Sequence, residues 1–221
     1  WIANFTDLVG SPMSTSGVLL NPSGTLLYPS YSGESGVAHD GTNWWVLRSV
    51  SNEARLVRVS SGGTRLDAPG GALLPINVTG NVNSLYDPRI IPKPGGGVLF
   101  CWTDWREAMG TEPNGFTMEV APTNVGQPEQ CVTLGTRSQR SPSICTGADG
   151  LVASAYVSEA AGEDRVYVQL LAPGGAPVSG EPIEVGRAPV IGACGVAWNG
   201  SVDMATRSQS GASITGGIVA R

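Results

Sequence analysis

The sequence predicts an all-β fold, a β-propeller of about five four-stranded blades whose terminal blades are irregular. Three observations predict it. One strand pattern recurs about every fifty residues, at Trp1–Asp7, Trp44–Val50, Val98–Asp104, Leu151–Val157 and Val202–Ser208. A second alternating strand follows each of these and runs into a Gly, Pro, Ser or Asn cluster. No segment carries a sustained helical period, and the nearest, Ser158–Asp164, is broken by Gly162.

Taken in order, the repeats divide the chain into units of about 1–32, 33–85, 86–138, 139–187 and 188–221, read as a single domain. The first unit opens at what reads as a second strand. Its third strand is expected at Gly17–Asn21, running into Pro22-Ser23-Gly24. In the second unit His39-Asp40-Gly41 turns the chain into Trp44–Val50, and Arg55–Ser60 leads into Gly62-Gly63. The third turns at Gly95-Gly96-Gly97, and its Gly115–Ala121 leads into Thr123–Gly126. The fourth, Ser141–Gly186, is the most regular copy, with Asp149-Gly150 and Gly174-Gly175 as its turns. The fifth turns at Asn199-Gly200 and ends on Ile214–Arg221. Strands before the first turn are expected innermost: Ser35–Ala38, Arg89–Pro92, Ser143–Thr146 and Ala193–Val196. Their small residues suit strands that converge on an axis. A fragment of a larger propeller and a β-sandwich are the alternatives, but a sandwich does not require a fifty-residue repeat.

Apolar residues make up 41% of the 221, so the 31 glycines and 16 prolines signal turns rather than disorder. A net charge of −5 argues against nucleic acid, which wants a basic stripe. The four cysteines form no C-x-x-C pair and His39 is the one histidine, which disfavours zinc; neither a metal nor another cofactor is expected. Two disulfides are the better reading and imply an oxidising compartment. Cys145 and Cys194 occupy similar inner-strand places, which leaves Cys101 with Cys131 across about 9.5 Å of sheet. No apolar run is long enough to span a membrane. The start at Trp1, with no signal segment, fits a mature secreted protein or an excised fragment, so an extracellular or cell-surface location is expected.

The pieces Asp40-Gly41 with Trp44-Trp45-Val46, Cys101–Arg106, and Asp164–Val168 followed by Gly174-Gly175 resemble the tandem-repeat β-propellers of secreted myxobacterial-type bacterial proteins. That resemblance implies a displayed propeller and no single activity. A weaker resemblance, carried by Asp87-Pro88-Arg89-Ile90-Ile91 and the Gly turn after it, is to the five-bladed arabinanase-like glycoside hydrolases. It implies a carboxylate at a central pocket, with Asp87 as the candidate catalytic residue. Glycoside hydrolysis needs a second carboxylate, one of the two held protonated. Glu34 and Asp40 are available in the second unit, whereas Glu184 and Asp203 occupy other strand positions.

The densest polar and aromatic cluster is Trp102, Asp104, Trp105, Arg106 and Glu107, a candidate carbohydrate or protein contact. Its bland counterpart is a strand-end Trp packed between blades. His39 and Asp40 are neighbours on a strand and point to opposite faces, so Asp40-Gly41 reads as a turn and not as part of a triad. The sequence therefore favours a secreted binding or assembly module with a glycan or protein partner. A glycoside hydrolase is the first alternative, and a structural subunit that self-associates through terminal strands is the second.

Overall fold

A computed structural model describes residues 2–3, 7–30, 33–50, 53–74, 86–93, 95–104, 114–120, 130–131, 139–147, 150–160, 162–178, 180–189, 191–198, 203–209 and 217–219. They form strands and turns without a helix. The first sheet is β1 (Ile2–Ala3), β2 (Asp7–Gly10) and β3 (Thr25–Pro29). The second is β4 (Glu34–His39), β5 (Asn43–Val50), β6 (Glu53–Ser60) and β7 (Ala72–Leu73). The third is β8 (Tyr86–Pro92), β9 (Val98–Asp104), β10 (Asn114–Val120) and β11 (Gln130–Cys131). The fourth is β12 (Gln139–Thr146), β13 (Val152–Ala160), β14 (Glu163–Leu171) and β15 (Ile183–Ala188). The fifth is β16 (Ile191–Trp198), β17 (Asp203–Gln209) and β18 (Gly217–Val219). Every pairing is antiparallel and the strand order follows the chain, so each sheet is a propeller blade. The inner strands β4, β8, β12 and β16 lie side by side in that order along the axis.

Blades are held by burying both faces of the middle strands. In β5, Trp45 and Leu47 face Ile90, Phe100 and Trp102 of the third blade. Val46, of opposite parity, joins Leu8, Leu27 and Tyr28 of the first. This is why Trp44–Leu47 reads as a continuous apolar run rather than a half-polar strand. The same logic sets Leu99 and Cys101 against Ile144 and Leu171, and Val157 and Val166 against Ile191.

One turn geometry closes the third strand in three blades. The backbone bonds Ser14 N to Val18 O, Ser60 N to Thr64 O and Ala172 N to Ala176 O are equivalent. Gly17, Gly63 and Gly175 fill the fourth place at φ +84°, +88° and +89°. Gly175 is required twice over, because a Cβ there would collide with the Thr117 side chain of the preceding blade. Thr117 Oγ1 donates to the Gly175 carbonyl at 3.0 Å. This turn also corrects the first unit. Its third strand is Asp7–Gly10, and Gly17 is the turn glycine, so Gly17–Asn21 is the return from the turn.

The expected disulfides do not form among the described residues: Cys101, Cys145 and Cys194 are thiols. Register explains it. Cys194 stands against Ser141, and Val196 against Ser143. Cys145 is therefore about 13 Å further along the facing strand, beyond disulfide reach. Cys101 pairs with Thr117 and Cys131 with Phe116, adjacent places on β10 of alternate parity and two strands apart.

Candidate functional site: the carboxylate and guanidinium cluster on the propeller axis

Counted back from the last residue of each inner strand, Glu34, Asp87, Ser141 and Ala193 occupy matching places. Two of these lie in β-bulges that interrupt the ladder, between Tyr86 and Arg89 and between Arg140 and Ser143. The bulges put Asp87 at φ +51° and Ser141 at φ +54°, a left-handed conformation that costs a side-chain-bearing residue about 1–2 kcal/mol. Strain of this kind collects at functional positions. Each of the two residues precedes a buried proline, Pro88 or Pro142, that anchors the bulge.

Asp87 is partly exposed, and its Oδ2 accepts from Ser141 Oγ at 3.2 Å. Glu34 on the adjoining β4 is exposed. Arg89, on the same side of β8 as Asp87, is exposed and donates from Nη1 to the Pro88 carbonyl at 3.1 Å. On the other flank Arg140 is held by Asp164, Nη2 to Oδ2 at 2.7 Å, and donates to the Ile191 carbonyl at 3.1 Å. Asp164 also accepts from the Ile191 N–H at 2.6 Å, tying the fourth blade to the start of β16. Cys194 Sγ donates to the Ser141 carbonyl at 3.2 Å. Burial pushes the Cys194 thiol up to about 12, with Arg89 and Arg140 pulling it down and Asp87 pushing it up. Burial pushes Cys101 up to about 12 as well, again with Arg89 and Asp87 acting in opposite senses. Both thiols therefore stay protonated at neutral pH, and neither is a nucleophile. The ligand-accessible chemistry of the cluster is one carboxylate, one guanidinium and hydroxyls, with Glu34 beside them.

The other expected site residues fall elsewhere. Trp102 is fully buried, stacked on Phe100 at 4.6 Å and on Phe116 at 5.8 Å between ring centroids. It is a core residue between blades and offers no face to a ligand. Asp104 ends β9 beside the start of β8, where Thr103 pairs with Tyr86. Trp105, Arg106 and Glu107 lie outside the described residues.

Asp40 is a turn cap. Its Oδ1 takes the N–H groups of Thr42 and Asn43 at 2.9 and 2.8 Å. Its Oδ2 takes Trp45 Nε1 at 2.8 Å and Gly97 N of the next blade at 3.1 Å. Burial works to raise its pKa, but these four donors outweigh it and hold the carboxyl below its ordinary value. The His39 ring packs on Trp44 at 4.7 Å, and its Nδ1 accepts the Gly41 N–H, so it belongs to the same turn. Glu184 sits on the outer strand β15, paired to Arg165 and Arg187 at 3.2 and 2.8 Å. Asp203 lies on β17, off the axis. No three His, Cys, Asp or Glu side chains come together as a metal site among the described residues.

Arg89, Ser141, Arg140 and Cys194 were not singled out as axial by their chemistry. The available signal was the parallel between Asp87-Pro88-Arg89 and Ser141-Pro142-Ser143, about one repeat apart.

No family model and no curated protein matches this chain. Solved structures do. A protein of unknown function from Dyadobacter fermentans superposes with TM-score 0.60 at 12% identity, over 90% of this chain and 64% of that one. An exo-beta-1,3-galactanase from Phanerochaete chrysosporium gives 0.53 at 12% identity, over 93% of this chain and 48% of that one. A thermostable family-43 glycoside hydrolase gives 0.52 at 12% identity, over 80% and 64%. This chain thus spans less than two thirds of the length of each. At such identity the likeness is one of fold.

Proposed function

We propose that this chain is a secreted carbohydrate-binding propeller whose glycan contacts the axial cluster at Asp87 and does not undergo hydrolysis there. The observation that carries the reading is the Asp87 bulge. A carboxylate is held in a costly left-handed conformation, oriented by Ser141, at a partly exposed point on the axis. A carboxylate so placed accepts hydrogen bonds from sugar hydroxyls, and such charge-assisted bonds are the strong ones. Asp104 at the end of β9, with Trp105, Arg106 and Glu107 next in sequence, is proposed as a further part of the contact surface.

Hydrolysis is the second reading, favoured by the fold likeness to an exo-beta-1,3-galactanase and a family-43 glycoside hydrolase. It would use Asp87 with Glu34 on the adjoining inner strand. The chemistry at the cluster argues for binding instead. Hydrolysis needs a pair of carboxylates flanking the sugar bond, and among the described axial residues Asp87 has Glu34 alone as a partner, exposed on β4. The next matching places round the axis are Ser141 and Ala193, which supply no further carboxylate.

A glycan array followed by calorimetry on its best hit tests the reading. The wild type binds with a micromolar to millimolar dissociation constant, and Asp87→Ala weakens it by tenfold or more. Incubation releases no reducing ends. Reducing-end release abolished by Asp87→Ala establishes the hydrolase reading in its place, and absence of any glycan signal refutes both.

A further inference from the structure

We infer that the sugar this site selects is acidic, a uronate whose carboxylate is taken by Arg89; this rests on the axial binding reading above. At the matching place on the other inner strands stand Gly36, Ser143 and Gly195, with little or no side chain. Arg89 is therefore the one long side chain among these four matching places. Its flanks are pinned, because Pro88 and Ile90 are buried and Ile90 belongs to the core shared with the second blade. Alternation then sends Arg89 to the opposite side, toward β12, the side on which Asp87 meets Ser141.

Arg89 is exposed and makes no ion pair among the described residues; its Nη1 donates one bond to its neighbour's carbonyl. The contrast with Arg140 is direct. That guanidinium is committed to Asp164 and to the Ile191 carbonyl, so it braces the blades. Arg58 is likewise committed, to Asp67 at 2.7 Å. Arg89 keeps donors in a planar fork, the geometry that takes a carboxylate through two parallel bonds. Asp87 lies two residues before it, across the bulge, and meets Ser141 on the β12 side. One strand thus presents an acceptor for hydroxyls and a fork for a carboxylate at neighbouring places on the axis. A neutral hexose fills the acceptor and leaves the fork in water. A uronate fills both.

The test is calorimetry at low and physiological ionic strength with tri-galacturonate and its neutral counterpart, galactotriose. The wild type binds tri-galacturonate at least tenfold tighter, and the preference shrinks with salt. Arg89→Gln brings the two affinities within twofold of each other while leaving the thermal midpoint in place. Arg89→Lys keeps part of the preference, because the charge survives but the fork does not. Equal affinity of the wild type for both sugars, or a preference that Arg89→Gln leaves intact, overturns the inference and leaves the binding reading standing. Failure of both sugars and of the wider glycan array overturns the binding reading itself, and this inference with it.

Discussion

At the scale of the residue, Asp40, Trp102 and Asp87 look alike in the sequence, each a chemically rich side chain at a strand end or turn. The structure gives them three different tasks. Asp40 joins two blades by accepting four hydrogen bonds, one of them from Gly97 in the next blade. Its replacement by Ala strands three backbone donors and the Trp45 indole, at a cost of about 2 kcal/mol in chemical denaturation. The carboxyl is held below its ordinary value in the folded chain. Its contribution is therefore complete above the unfolded value and is lost as pH falls through the folded one. The stability gap between wild type and Asp40→Asn should be constant from pH 7 to about 5 and narrow below about pH 4; a gap that widens on acidification would contradict the assignment. Trp102→Ala should cost roughly 3–5 kcal/mol, as for other buried aromatics, since the ring stacks between Phe100 and Phe116. The sequence offered two readings of Trp102, ligand face and blade filler. Its alternation with Phe100 places both on one face of β9, and that face is covered by the second blade. What the residues alone could not convey was which faces a neighbouring blade covers. Asp87 was expected at the axis from the resemblance of Asp87–Ile91 to the inner strand of five-bladed arabinanase-like hydrolases. Its left-handed conformation and its bond to Ser141 were not legible, because both arise from a bulge shared between blades.

At the scale of the element, the turns were the most legible part of the chain and the cysteines the least. Gly17, Gly63 and Gly175 announce one turn three times, and among the described residues the third-strand boundary moved in the first unit. Gly175→Ala should destabilise by about 2 kcal/mol or more, from a left-handed alanine and a clash with Thr117 together. Gly95→Ala, at φ +86° but in open space, should cost only the conformational part. Equal effects at the two positions, read from denaturation midpoints, would argue against tight contact between the third and fourth blades. The cysteine pairing failed for a reason that counting along the chain cannot reveal. Counted from the ends of their strands the two cysteines are not at matching places, because the turn after β12 is longer than their distance from the turn glycine suggests. Cys194 meets Ser141 rather than Cys145.

At the scale of the molecule, the blades are joined by paired apolar faces and by a few polar clamps. Asp164 is the strongest of the clamps, taking the Arg140 guanidinium and the Ile191 N–H while nearly buried. Asp164→Ala leaves a partly buried guanidinium and a backbone donor without their acceptor, and should cost about 3 kcal/mol. Because Arg140 directly precedes Ser141, the same change should also loosen the axial cluster and weaken glycan binding, whereas Asp40→Ala should reduce stability with little effect on binding. The propeller was legible from its period because each blade must repeat the same two-faced burial to pack against its neighbours. The ligand was not, because one scaffold of this kind supports many sites and the axial residues come from four blades distant in sequence. The most direct test is a crystal structure of the chain with its best-binding oligosaccharide. The account predicts sugar density on the axis, within hydrogen-bond distance of Asp87 and beside Ser141. Density confined to the outer strands of the blades, with the Asp87 carboxylate untouched, would contradict it.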